Sequence, residues 1–274
     1  MINVLDNGFV RLVDMMGDDS AIVQAARTSY GKGTKTFSED RKLIRYLMRN
    51  RHTSPFEMVE FKFHIKLPIF VARQWIRHRT ANVNEYSGRY SEMKNEFYLP
   101  EAESVRKQSL INKQGRDEEE LSPKEANEFI AELEKSNSLQ FESYQNFIDK
   151  GIARELARIN LPLSIYTEWY WKIDLHNLFH FLKLRLDSHA QLEIRLYAEV
   201  IAEILKEKVP LAYEAFEDYI LEAVNFSKKE QIALSKFCSN FDLNDETLLD
   251  LGLDKREITE FRNKISKLQN KQSM

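Results

Sequence analysis

Strict alternation of apolar and polar residues is clearest between positions 59 and 67. Val59, Phe61, Phe63, Ile65 and Leu67 alternate there with Glu60, Lys62, His64 and Lys66. A period of two predicts a β-strand with one buried face and one solvated face. Shorter apolar, β-prone segments predict further strands over 2–5, 9–14 and 165–173.

Helix signals cover most of the remaining chain. Ser122, Pro123 and Glu125 combine a capping box with a proline at the first helical position, which predicts a long helix ending at Gly151. Pro68 predicts the first turn of a helix that carries the segment VARQWIRHR. The pattern predicts further helices over 20–27, 38–49, 153–159, 174–184, 189–208 and 210–223.

Two polar regions set the predicted domain organisation. Residues 101–121 are polar with an acidic run, and we expect a mobile connection there. From Ser227 the composition shifts, and Ser227 with Glu230 forms a second capping box that opens short helices. A tail of about 48 residues is marginal for independent folding. The sequence therefore predicts the α+β class: a small antiparallel or mixed sheet covered by long helices, one domain over 1–226, and a helical C-terminal extension over 227–274.

Glycine is scarce in this chain, and its scarcity restricts how a nucleotide could bind. The 274 residues include eight glycines, and only Gly31 and Gly33 form a G-x-G pair. Thr36 stands where a third glycine would complete the dinucleotide fingerprint, and no two glycines have P-loop spacing. Any nucleotide site must therefore use side chains in place of a glycine-rich backbone cradle.

Cysteine content, apolar runs and net charge restrict the cellular compartment and the kinds of partner to expect. Cys238 is the single cysteine, so no intrachain disulfide can form, which fits a reducing cytoplasm. The N-terminal sequence MINVLDNGFV has neither a basic region nor a long apolar region, and no run of 18 apolar residues occurs. We therefore expect a cytoplasmic protein without a membrane partner. The net charge of −3 weakens a general nucleic-acid-binding interpretation.

The densest group of chemically capable residues is RHRTANVNEYSGRYS, positions 77–91. Guanidinium groups beside hydroxyls and a glycine N–H suit phosphate oxygens. A solvated basic helix end would show the same charges. Composition alone leaves both interpretations open.

This segment resembles the signature of the flavin-dependent thymidylate synthases, RHRxxSxNExSxRY. Eight of its nine specified positions match: Arg77, His78, Arg79, Asn84, Glu85, Ser87, Arg89 and Tyr90. Asn82 replaces the first serine and keeps a hydrogen-bonding side chain. Similarity extends to HTSPFE, PIFVARQW, ARINLP and LRLDSHAQLE, and so covers about residues 1–100 and 140–225.

The resemblance implies an enzyme that converts dUMP to dTMP. Carbon would come from methylenetetrahydrofolate, and reducing equivalents would pass from NADPH through FAD, in a homotetramer with active sites between subunits. Cys238 lies in the unmatched tail, so a thiolate addition to uracil C6 is not expected. Arg185 matches the family's arginine that stabilises negative charge on the uracil. A salt bridge between Arg185 and Asp187 is the alternative interpretation of that residue.

The resemblance also implies the ligand contacts. For dUMP they are Gln74, Trp75, Ile76 and Arg77 from one subunit, with Glu85, Tyr86, Ser87, Gly88, Arg89 and Arg158 from another, and Arg185. For FAD they are Ser54, Arg77, His78, Arg79, Glu85, Asp174, Leu175, His176 and His180. Relatives often carry N-x-R where this chain has Asp174, Leu175 and His176. An acidic residue there would be unfavourable beside a pyrophosphate unless it faces the adenine or ribose.

A metal-dependent hydrolase is the main rival hypothesis. His176 and His180 have the i, i+4 spacing of zinc ligands, and His189 and Glu193 repeat it. The first pair lacks the glutamate of H-E-x-x-H, because Asn177 follows His176. No convergent third ligand is evident, so we predict no metal site.

Overall fold

A computed structural model describes residues 1–28, 37–110, 115–235 and 244–269. The strands are β1 Ile2–Val4, β2 Gly8–Met16, β3 Glu60–Pro68, β4 Asn82–Glu85, β5 Arg106–Gln108, β6 Arg116–Glu120 and β7 Tyr166–Asp174. The helices are α1 Asp19–Arg27, α2 Phe37–Arg49, α3 Ile69–Trp75, α4 Pro123–Asp149, α5 Arg154–Ala157, α6 Leu175–Arg185, α7 Leu192–Lys208, α8 Pro210–Phe216, α9 Lys228–Ser235, α10 Asp245–Asp250 and α11 Lys255–Gln269. The chain divides into two units, Met1–Leu221 and Glu222–Met274.

The main sheet of the first unit has the strand order β1-β2-β3-β7-β4, and all its neighbouring strands are antiparallel. The strictly alternating segment forms β3 in the middle of this sheet. Its partner β7 is aligned so that Phe63 lies opposite Trp171. Helices accompany this small antiparallel sheet, which confirms the predicted α+β class.

The two faces of β3 differ as the alternation predicts. Phe61, Phe63, Ile65 and Leu67 are fully buried. On the other face, the His64 ring stacks on Tyr170 of β7, with ring centroids 4.9 Å apart. One face of the sheet therefore supplies the hydrophobic core, and the other is polar.

An aromatic cluster joins the sheet to α3 and α6. Trp75, the last residue of α3, is fully buried and stacks on Phe181 of α6 with ring centroids 4.6 Å apart. The same indole makes edge contacts with Trp169 and Trp171 of β7, at 5.8 and 5.2 Å. Each such pair adds about 0.5–1.5 kcal/mol beyond the area it buries. The cluster therefore holds the C-terminal end of α3 against α6.

The capping box at Ser122 is confirmed. The Ser122 hydroxyl accepts from the Glu125 N–H, and the Glu125 carboxylate accepts from the Ser122 N–H, at 3.3 and 3.0 Å. Farther along α4, the buried Tyr144 hydroxyl accepts a hydrogen bond of 2.9 Å from the backbone N–H of Met93. The long helix therefore anchors the loop that follows β4.

Two predictions about local structure are wrong. The helix after Pro68 ends at Trp75, so the RHR segment follows the helix and leads into β4. The predicted mobile connection over 101–121 contains the antiparallel ribbon of β5 and β6. Its charges pair across the strands, Lys107 with Glu119 at 2.5 Å and Arg106 with Glu120 at 3.4 Å. Such cross-strand ion pairing has no hydrophobic period to reveal it.

Two predicted boundaries also shift. The helix expected from 189 begins at Leu192, because the carboxylate of Asp187 accepts from the backbone N–H of His189 and holds a turn there. The helix expected over 210–223 changes into a π-helical turn over Glu217–Leu221.

The second unit contains α9, α10 and α11. The Ser227 N–H donates to Glu230 at 2.7 Å, and the Glu230 N–H donates to Ser227 at 3.4 Å, as the second capping box predicts. Leu248 and Ile258 of this unit are buried. Across the described ranges of both units, no helix combines the length and apolar character needed to cross a membrane.

Candidate active site

The first group of predicted site residues lies where α3 ends beside α6; we call Arg77, His78, Arg79, His180 and Arg185 the α3–α6 cluster. Arg185 donates a hydrogen bond from Nε to Nε2 of His78 at 3.0 Å, across 107 residues of sequence. The rings of His78 and His180 have centroids 6.4 Å apart. The aromatic stack of Trp75 on Phe181 brings these residues together.

The charge state of His78 follows from its surroundings. Partial burial, followed by the positive charge of Arg185 and the electrostatic effect of the neighbouring His180, lowers the pKa of His78 to about 4. The ring is therefore neutral near pH 7, and its Nε2 lone pair can accept the Arg185 hydrogen bond. Burial also lowers the pKa of Arg185.

The alternative salt bridge between Arg185 and Asp187 is not formed. Asp187 instead contacts His189, with 2.9 Å between its Oδ1 and the ring Nδ1. Among the described residues, Arg185 makes no ion pair with a carboxylate. Its guanidinium group is therefore available to a ligand.

The second group forms a turn after β4; we call Ser87, Gly88, Arg89 and Arg158 the Ser87 turn. The carbonyl oxygen of Ser87 accepts from the N–H groups of Tyr90 and Ser91, at 3.0 and 3.1 Å. A Cβ built on Gly88 would lie 3.3 Å from Cδ of Arg158 and 2.7 Å from Sδ of Met93. The turn thus places a hydroxyl, a backbone free of side-chain bulk and the stem of Arg158 side by side.

Strand β4 separates the two groups within one chain. It pairs with β7 so that Asn82 lies opposite Lys172 and Glu85 opposite Trp169. The length of β4 places its ends about 10 Å apart. Arg77–Arg79 precede one end of the strand, and the Ser87 turn follows the other. The two groups therefore lie on either side of β4 along the chain.

Glu85 and Tyr86 mark the end of β4 next to the Ser87 turn. The Glu85 carboxylate accepts a hydrogen bond of 2.8 Å from the Thr167 hydroxyl. The Tyr86 N–H donates to the carbonyl of Glu168 at 2.8 Å, and its hydroxyl donates to the carbonyl of Glu92 at 2.6 Å. These contacts fix the direction in which the turn leaves the sheet.

Arginines in the two groups lack carboxylate partners. Arg77, Arg79, Arg89 and Arg158 are all exposed. Like Arg185, none of the four has an ion pair with a carboxylate anywhere in the described ranges. Elsewhere many arginines are paired, for example Arg27 with Asp40 at 2.9 Å and Arg262 with Asp245 at 2.6 Å. Unpaired guanidinium groups in a chain of net charge −3 favour an anionic ligand.

The remaining predicted contacts for dUMP differ in exposure. Gln74 is half-buried, and its Oε1 is buried without a hydrogen-bond partner among the described residues. Trp75 lies wholly inside the aromatic cluster, whereas the Ile76 side chain is exposed. An orphaned buried acceptor such as Gln74 Oε1 is costly unless a ligand donates to it.

The remaining predicted contacts for FAD lie around the start of α6. Asp174 caps this helix: its carboxylate accepts from the Asn177 N–H at 2.9 Å and from Asn177 Nδ2 at 2.7 Å. Leu175 is fully buried, and its N–H donates to the carbonyl of Val59. His176 is half-buried, and Ser54 is exposed in the turn before a short 3-10 helix at Phe56–Met58.

The described residues contain no group of three or more histidine, cysteine, aspartate or glutamate side chains placed to hold a metal ion. Glu193 of the rival hypothesis is 1% exposed, and its carboxylate contacts Arg116, Tyr98 and Gln191. Cys238 lies outside the described residues.

Two residues near the site escaped the sequence reasoning. Thr167 donates a hydrogen bond to Glu85. In the sequence it can be recognised as a polar residue at a buried position of β7, in the same alternating series as Trp169 and Trp171. Met93 packs beside Gly88, and a lone methionine in a polar loop carries no comparable signal.

The fold and these two groups define an α+β protein whose side chains, rather than a glycine-rich loop, are arranged for an anionic ligand. Comparisons with known proteins identify the family. The model of the family described as thymidylate synthase complementing protein matches residues 11–211. The chain therefore belongs to this family, whose curated relatives are named flavin-dependent thymidylate synthase, as its signature indicated.

Similar proteins cover most of the chain. A flavin-dependent thymidylate synthase of Wolbachia pipientis wMel is 63% identical over 225 residues, which are 82% of this chain and 79% of that relative. One from Thermus thermophilus is 58% identical over 264 residues, 96% of this chain and 95% of that relative. The crystal structure of a UMP/dUMP methylase, PolB from Streptomyces cacaoi bound with 5-Br dUMP, matches with a TM-score of 0.72 and 34% identity, over 80% of this chain and 99% of that one.

Proposed function

We propose that this protein methylates dUMP to dTMP, with methylenetetrahydrofolate as carbon donor and NADPH-reduced FAD as the hydride source. The observation that carries the proposal is that the five arginines of the two groups, Arg77, Arg79, Arg89, Arg158 and Arg185, have no carboxylate partner among the described residues. A nucleoside monophosphate and a flavin dinucleotide both bring phosphate charge to such groups. The names of the relatives and the 5-Br dUMP in the methylase structure support the same substrate.

The Ser87 turn is our candidate for the phosphate of dUMP. Ser87 offers a hydroxyl, Gly88 leaves room for Met93 and the Arg158 side chain to pack beside the turn, and Arg89 and Arg158 offer charged donors. Hydrogen bonds from charged donors to phosphate oxygens are roughly twice as strong as neutral ones. Glu85, held by Thr167, is suited to accept from a ribose hydroxyl.

Arg185 is our candidate for activating the uracil. The C5 carbon becomes nucleophilic when negative charge is stabilised on the ring, and a half-buried guanidinium at the carbonyl edge favours that charge. No thiolate is required for this route, and we propose that Cys238 takes no part in it. A serine nucleophile at Ser87 is not supported either: among the described residues the only contact of its hydroxyl oxygen is with the Arg89 N–H, and no base adjoins it.

The residues at the α3–α6 cluster fit a flavin dinucleotide. Arg77 and Arg79 are exposed and lack carboxylate partners within the described ranges, as pyrophosphate ligands should. Asp174 directs its carboxylate at Asn177 and the N-terminus of α6, which offsets its charge. Bound flavin would supply the hydride, while Arg77, His78 and Arg79 would bind and orient it.

We propose that the active site is completed between subunits of a homotetramer. Strand β4, about 10 Å long, lies between Arg77–Arg79 and the Ser87 turn within a chain. The Ser87 turn of one chain can then bind the phosphate of a nucleotide whose base contacts Arg185 of another chain. We assign catalysis to residues 1–226 and none to 227–274. A cytoplasmic location stays a prediction from the sequence.

Purification and one assay test the proposal. The protein should be yellow with bound FAD, and should form dTMP from dUMP only when methylenetetrahydrofolate and NADPH are supplied. Arg185→Ala should abolish dTMP formation while flavin stays bound, because the ring charge then lacks its partner. Turnover retained in Arg185→Ala contradicts the activating role. A colourless protein that takes up no FAD and holds stoichiometric zinc supports the rival metal-dependent hydrolase.

A further inference from the structure

We propose that His78 is a positioning residue for Arg185: its neutral imidazole holds the guanidinium group by Nε, so that the remaining N–H groups face the substrate. The inference rests on the proposed function of Arg185. It adds a role for His78 that a flavin contact alone does not include.

The hydrogen bond between the two residues uses the Nε donor of the arginine and leaves the terminal N–H groups unoccupied. Arg185 Nε lies 3.0 Å from His78 Nε2. A guanidinium has five N–H donors, and this contact occupies one of them. The four N–H groups on the two terminal nitrogens form the fork that recognises planar acceptors, and they stay available. His78 therefore constrains the orientation of Arg185 without competing for its substrate-binding edge.

The imidazole is itself held rigidly enough to serve as a guide. Its ring meets Phe181 edge to face, with centroids 4.9 Å apart, and Phe181 stacks on the fully buried Trp75. The backbone N–H of His78 donates to the carbonyl of Trp75 at 2.9 Å. His78 thus contacts the aromatic cluster through Phe181, and Arg185 follows Phe181 by four residues on α6. A catalytic side chain supported in this way loses less freedom when substrate binds.

Protonation fixes the direction of the contact. An acceptor role at Nε2 requires a neutral ring with its proton on Nδ1. Partial burial and the charge of the adjoining Arg185 favour the neutral ring. Within the described residues Nδ1 has no hydrogen-bond partner, so its N–H is free to contact a bound cofactor. Positioning of Arg185 and a flavin contact are therefore compatible.

Two substitutions at His78 test the acceptor. His78→Gln keeps an oxygen near the position of Nε2, whereas His78→Phe keeps the ring contact with Phe181 and removes the acceptor. With FAD saturating and flavin content measured, His78→Phe should lower kcat about tenfold to a hundredfold, with the KM for dUMP changed less than about threefold. His78→Gln should recover most of kcat. Equal kcat values for the two variants at equal flavin content overturn the inference.

A spectroscopic measurement tests the contact without turnover. The protein has six histidines, so 15N-histidine labelling with His78→Gln as the assignment variant identifies the ring signals. At pH 7 the His78 ring should be neutral, with a proton on Nδ1 and none on Nε2. Arg185→Ala should shift the tautomer population towards the form protonated on Nε2. A protonated Nε2 in the parent protein, or a tautomer unchanged by Arg185→Ala, overturns the inference. Absence of dTMP formation by the parent protein refutes the proposed function instead.

Discussion

Substitution of Gly88 by alanine tests the phosphate-binding turn most directly. The added Cβ would lie 2.7 Å from Sδ of Met93 and 3.3 Å from Cδ of Arg158. Both neighbours are side-chain atoms, so they can move and the backbone can stay. The Arg158 stem, however, must shift its guanidinium group by a few tenths of an ångström or more.

The expected cost falls on binding rather than on folding. Overpacking costs about 1–3 kcal/mol, and an adaptable methionine places this site at the lower end. Replacing glycine by alanine recovers about 0.4–1 kcal/mol through the unfolded chain. The net loss of about 1 kcal/mol or less lowers Tm by no more than about 4 °C. A displaced charge-assisted hydrogen bond costs about 1.5–3 kcal/mol, which raises the Kd for dUMP roughly tenfold to a hundredfold.

Calorimetric titration with dUMP and with deoxyuridine separates phosphate binding from base binding. Gly88→Ala should weaken dUMP binding and leave deoxyuridine unchanged. Gly151→Ala is the matched control, because a Cβ there meets nothing within 4 Å and the cost comes only from its φ of +75°. That control should lose stability and keep its affinity for dUMP. Equal weakening of dUMP and deoxyuridine by Gly88→Ala refutes the phosphate assignment.

Three further substitutions probe folding, protonation and the lone thiol. Gly8→Ala should lower the free energy of unfolding by about 3–5 kcal/mol in thermal melts. The added Cβ would lie 2.0 Å from the Tyr197 hydroxyl and 2.6 and 2.9 Å from two backbone carbonyl oxygens. Adding Tyr197→Phe should restore only part of the lost stability, because the carbonyl contacts remain. His78 lowers the free energy of unfolding between pH 7 and pH 5, because its pKa is 6.5 in the unfolded chain and about 4 in the folded one, so the unfolded chain binds more protons at this group. Solvent screening at the half-exposed ring halves this contribution to about 1 kcal/mol. In denaturant titrations, His78→Phe should therefore lose about that much less unfolding free energy between pH 7 and pH 5 than the parent protein. An equal loss in the two proteins contradicts the lowered pKa. Cys238→Ala should leave dTMP formation intact, and a large loss of turnover would reopen covalent catalysis.

Local chemistry explains which elements were predictable from the sequence. The alternation in β3 and the capping box at Ser122 both act within a few residues, and both are confirmed. The ribbon of β5 and β6 depends on charges such as Lys107 and Glu119 meeting across the two strands. Strand β4 depends on the edge that β7 offers, and its own four residues are all exposed. Such elements are stabilised by partners distant in sequence, so the local hydrophobic pattern does not predict them.

The site shows the same division between local and distant information. Residues 77–91 are contiguous, so their donor chemistry could be read directly, together with the family resemblance. The partner of Arg185 could not, because Asp187 is two residues away in sequence, whereas His78 is 107 residues away and is brought close by the Trp75–Phe181 stack. A charge-pairing rule applied along the sequence selects Asp187. The three-dimensional packing selects a neutral ring instead, and an arginine held by a neutral acceptor keeps its full positive charge for a ligand. The aromatic core thus contributes to the chemistry, because it decides which neighbour Arg185 has.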